Sequence, residues 1–108
     1  MLMITTDFID EKEIEILGLV SGSTVQSKNV GGDLVAGLQN FVGGELKGYT
    51  EMLEDARKEA INRMIYKAKV LVADAIIGVR FTSNTIAQGA VEVLVYGTAV
   101  KFKESEQI

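Results

Sequence analysis

Carboxylates and a single arginine are the side chains of this sequence best placed by type and spacing to do chemistry. Asp10, Glu11, Glu13 and Glu15 crowd one short stretch, and Glu51, Glu54, Asp55 and Glu59 crowd another. Either set could offer oxygen ligands to a hard divalent cation. Neither has the D-x-D-x-D-G spacing of a calcium loop, and the simpler reading of each is a charged face turned to water. Arg57 differs because, at roughly 100° per residue, it falls at the edge of an apolar helical stripe, where an unpaired guanidinium is costly. Asp33 and Asp74, both flanked by small or apolar residues, are its candidate acids. An ion pair with one of them would fix subunit register. The competing reading is that Arg57 snorkels to the surface along its own stem, and a catalytic Arg–Asp site comes third.

What the sequence lacks narrows the chemistry further. With no Cys and no His there is no thiolate, no imidazole and no disulfide. Thr5, Thr6, Ser21, Ser23 and Ser83 supply hydroxyls, but no histidine exists to activate them. No enzyme activity and no cofactor are therefore expected. The net charge of −4, with 11 basic residues that form no block, argues against nucleic acid as a partner. The start Met1-Leu2-Met3-Ile4-Thr5-Thr6-Asp7 lacks the basic and long apolar runs of a signal peptide, and no run approaches the roughly 18 apolar residues of a membrane span. A cytoplasmic protein with no membrane partner is the expectation.

The elements that must position these residues can be read from periodicity. From Gly43 to Val72 the pattern is helical. Leu46, Tyr49, Leu53, Ala56, Ala60, Met64 and Leu71 make a core stripe, and Ile61, Ile65, Ala68 and Val72 a second stripe about 100° away. Gly43 and Gly44 supply the turn into this helix from a shorter one over Asn29–Val42, which carries Asp33. Both helices are free of proline. Strands are expected over Glu13–Lys28, Ile76–Thr82 and Val91–Phe102. In the first, Ile14, Ile16, Gly18, Val20 and Gly22 share one face; in the last, Val91, Val93, Val95, Gly97 and Ala99 do. Ser83–Gly89 reads as a hairpin loop, Asp7–Glu13 as a turn, and Met1–Thr6 as an edge strand on this sheet or on a neighbour.

At 108 residues, 47% of them apolar, the chain is expected to form one domain spanning 1–108. The back half of the long helix is apolar over more of its circumference than one sheet face needs. The strands from Ile76 and Val91 are apolar on both faces. Both features lead to a homo-oligomer in which identical subunits supply the missing cover.

Several motifs in order, Thr5-Thr6, Phe41-Val42-Gly43-Gly44, Tyr49, Ala56-Arg57, Ala73-Asp74-Ala75-Ile76-Ile77-Gly78 and Tyr96-Gly97-Thr98-Ala99-Val100, together resemble the YbjQ-like family of small bacterial and archaeal proteins. The resemblance implies an α+β fold with a two-layer, dodecin-like strand-helix-strand-strand core on an antiparallel sheet, assembled as a homopentameric ring. It also brings a heavy-metal-binding label without an established biochemical activity. Soft metals prefer thiolate and imidazole, and this chain has neither. The reading that follows is a non-enzymatic homo-oligomer with Asp33, Arg57 and Asp74 as polar residues holding its architecture and no metal site. The alternative is a metal-ion or small-ligand binding module using carboxylates or pockets between subunits.

Overall fold

A computed structural model describes residues 1–27 and 44–104. The short helix expected over Asn29–Val42, together with Asp33 and Gly43, lies outside the described residues. Those described form β1 (Leu2–Met3), β2 (Ile14–Ser27), α1 (Gly44–Val70), β3 (Ala75–Ala87) and β4 (Ala90–Phe102). The sheet is four-stranded in the order β1-β3-β4-β2. β4 pairs antiparallel with both β2 and β3, whereas β1 runs parallel to β3. The sheet is therefore mixed rather than wholly antiparallel, because the expected edge strand joins its own chain's sheet.

Helix α1 runs 27 residues, built from Glu, Lys, Ala, Met and Leu, which lose little side-chain freedom in a helix. Its buried line is Ala56, Ala60, Met64 and Ala68, each 0% exposed. Repeats of four residues thus place Ala68 in the core rather than in the second stripe. Leu71 and Val72 lie past the helix end and are exposed. Lys67 and Lys69 occupy the last turn, where positive charge complements the helix dipole. The helix stops in a Schellman turn, in which the Val72 amide donates to the Lys69 carbonyl at 2.9 Å and the Ala73 amide to the Ala68 carbonyl at 3.0 Å. Val72 takes the left-handed position of this turn at φ 61°. Glycine usually stands there, since the conformation costs a residue with a Cβ about 1–2 kcal/mol, and β-branching makes it worse.

One face of the sheet meets the helix. Val91, Val93, Val95 and Ala99 of β4, Ile76 and Val79 of β3 and Val20 of β2 form a core with the buried alanines and Met64. On the other face Ala75, Ile77 and Val100 are covered by Ile4, Ile9, Ile14 and Phe102. Part of the cover that sequence assigned to a neighbour is thus supplied by the chain's own N-terminal segment.

Two strand readings change. β2 carries a register shift between Ile16 and Gly18, and the extra residue swaps faces. Ile14 and Ile16 therefore lie opposite to Val20 and Gly22 instead of beside them, with Ile16 69% exposed. The segment expected as a loop over Ser83–Gly89 is strand as far as Ala87, and the turn shrinks to Gln88 and Gly89, the glycine at φ 75°. Thr82, Thr85 and Ile86 are β-branched, which suits a pleated strand even where it is wet.

Candidate functional site

Of the sequence-derived site residues, Arg57, Asp74 and Gly44 are among those described, and Arg57 and Asp74 lie apart within the chain. Asp74 sits at the corner between α1 and β3. Its amide donates to the Val100 carbonyl at 2.8 Å, and its Oδ2 accepts from the Phe102 amide at 2.8 Å. One aspartate thus ties the start of β3 to the end of β4. Arg57 is half-buried on α1 and makes no ion pair or hydrogen bond among the described residues. It precedes the helix end by 13 positions, or about 20 Å of helix axis, so Asp74 of the same chain is not its partner. Gly44 is the first residue of α1.

Beside Asp74 lies an open groove of about 590 Å³, lined also by Glu15, Lys101, Lys103 and Glu104. The charges there are mixed, and Lys101 directs its Nζ to the Val72 carbonyl at 3.4 Å. Among the described residues no group of three or more His, Cys, Asp or Glu side chains could hold a metal ion. With no thiolate or imidazole in the sequence, these residues do not fit a soft-metal centre.

Two arginines outside the expected site do more structural work. Arg63 donates through Nη1 to the Ser23 carbonyl at 2.6 Å and through Nε to Glu59 Oε1 at 3.2 Å. It bridges α1 to β2, a strand at the edge of the sheet. A groove of about 430 Å³ runs here between Ser23 and the helix flank of Glu59, Asn62, Tyr66 and Lys67. The three- and four-residue spacing of that flank was the signal available in the sequence. Arg80 donates through Nη1 to the carbonyls of Thr5 and Val79, both at 2.9 Å.

Around Arg80 the chain's start is clipped to the sheet. Gly78, at φ 60°, donates its amide to the Thr6 carbonyl at 2.8 Å, the Val79 amide donates to Ile4 at 3.0 Å, and Thr6 Oγ1 donates to the Phe8 carbonyl at 2.9 Å. These motif residues are engaged with backbone. None of the contacts pairs a nucleophile with a base, the arrangement that activates a hydroxyl. What remains conspicuous is apolar surface: Tyr66, Val70 and Val72 at the end of α1 are 69%, 65% and 65% exposed, and Leu19 on the helix-free sheet face is 76% exposed. No described helix is long and apolar enough to cross a membrane.

Comparison with known proteins gives these features a family context. The profile of the YbjQ family, described as "Putative heavy-metal-binding", matches residues 1–103. A UPF0145 protein of Clostridium novyi (strain NT) is 58% identical over 101 residues, covering 94% of this chain and 98% of its own. A UPF0145 protein of Archaeoglobus fulgidus is 54% identical over 104 residues, covering 95% and 96%. Among solved structures, a Pediococcus pentosaceus protein of unknown function, placed in the DUF74 family, aligns with a TM-score of 0.64 at 16% identity, covering 95% of this chain and 98% of that one. That likeness is one of fold.

Proposed function

Because this chain belongs to the YbjQ family, we propose that it acts as a cytoplasmic, non-enzymatic homo-oligomer, a single-domain subunit of a dodecin-like ring of five copies, whose function resides in the assembled surface. One observation carries the reading. The radius of gyration is 18.2 Å and the extents are 67 × 23 × 15 Å, whereas a compact chain of this length has a radius near 13 Å. A body this long and thin encloses a core but leaves other aliphatic side chains uncovered. Large apolar groups are accordingly left open at the helix end and on the helix-free sheet face, beyond the scattered exposure usual for a monomer. Identical copies are the economical cover, because each has both surfaces to offer. Arg57 and Asp74 belong to this reading as polar residues of the framework, Asp74 through its bond to Phe102.

The heavy-metal description of the family does not enter the proposal, since the described residues offer no fitting donor set. Native mass spectrometry tests the reading. The expected result is a dominant species at a whole-number multiple of 11.7 kDa, with five copies as the ring size. A spectrum holding the single chain alone, under conditions that preserve a control ring, contradicts it.

A further inference from the structure

We infer that copies meet head to tail, the C-terminal end of α1 on one chain seating against the N-terminal loop and helix-free sheet face of the next. The inference rests on the proposed homo-oligomer and names its contact.

The first surface is apolar, basic and strained. Val70 and Val72 are each 65% exposed, and Lys67 and Lys69 stand among them. Val72 also occupies the left-handed position of the Schellman turn at φ 61°, where glycine would relieve the backbone. Such an outlier persists where something else holds it. Within its own chain the valine side chain is mostly in water, so the subunit alone gives no return for the strain. A neighbour that buries it does.

The second surface is apolar and acidic. Phe8 is 64% exposed, and Ile16 and Leu19 are open on the sheet face away from the helix. Asp7, Asp10, Glu11 and Glu13 are all exposed in the loop beside them. Opposite charge around two apolar centres steers them together and disfavours each against itself. The surfaces are different parts of one chain, so the contact is heterologous, and a heterologous contact generates a ring when its rotation closes.

The test uses the full chain and sedimentation equilibrium over a dilution series. Val72→Gly relieves the backbone yet removes the buried side chain, so the dissociated chain should unfold at higher urea while the dissociation constant rises about tenfold or more, the scale of burying one valine. A structural role alone moves both quantities toward greater stability. Two half-swaps, Lys67→Glu with Lys69→Glu, and Asp10→Lys with Glu13→Lys, should each dissociate the oligomer, and the four changes together should restore it. An oligomer whose dissociation constant is indifferent to Val72→Gly and to both half-swaps overturns this contact and leaves the homo-oligomer standing. A wild-type chain that is monomeric throughout removes both.

Discussion

Gly22 of β2 lies so close beneath Ala60 of α1 that a Cβ added to Gly22 would overlap the Ala60 carbonyl oxygen and stand 2.6 Å from the Met64 amide nitrogen. Helix backbone and strand backbone are in direct contact there, and neither can rotate away as a side chain could. The alanines at positions 56, 60 and 68 make the same approach possible from the helix side. Gly22→Ala should therefore lower stability by about 1–3 kcal/mol, the range of overpacking in a close-packed core. Urea denaturation at fixed protein concentration checks it, and a change below about 0.5 kcal/mol would show that the helix can lift without loss.

Asp74 is the second framework contact that a substitution can isolate. Its Oδ2 accepts the Phe102 amide at 2.8 Å, so Asp74→Ala should cost about 1 kcal/mol, the net scale of one such bond. Asp74→Asn keeps a carbonyl acceptor and should lose less. Hydrogen exchange at the Phe102 amide separates the two, with faster exchange in the alanine variant.

How far the sequence revealed this arrangement depends on the residue. The long helix, its buried Ala56, Ala60 and Met64, and the inward Val91, Val93 and Val95 were legible because each repeats at the period of its element. The bulge at Leu17 was not. One extra residue leaves the alternation intact on either side, and only the register with β4 shows that Ile16 and Val20 face opposite ways. The strand through Asn84 and Thr85 was hidden by polar composition, since its pairing is set by β4 rather than by burial. Nor could the bridge from Arg63 to β2 be read from the helix, because its acceptor there is a backbone carbonyl 40 positions away.

Arg57 supplies a third prediction. It is half-buried and has no ion pair among the described residues. Arg57→Ala should leave the stability of the separated chain within about 0.5 kcal/mol, as surface changes do, while lowering the assembled mass on dilution. A variant that keeps its full mass would reduce Arg57 to a solvated stem.

The donor chemistry leads to a fourth. With neither Cys nor His in the sequence, and no carboxylate group suited to a metal among the described residues, titration calorimetry with zinc, cadmium or copper(II) at micromolar protein should give no saturable heat. A stoichiometric isotherm with any of them would establish a site made of residues other than these.

Completion of this thin, aliphatic chain by copies of itself is tested most directly by the solution mass on dilution. Light scattering from micromolar to nanomolar protein should report a multiple of 11.7 kDa, with any fall in mass at the lowest concentrations accompanied by a loss of stability. A folded monomer that keeps its thermal midpoint across the whole range would contradict the account.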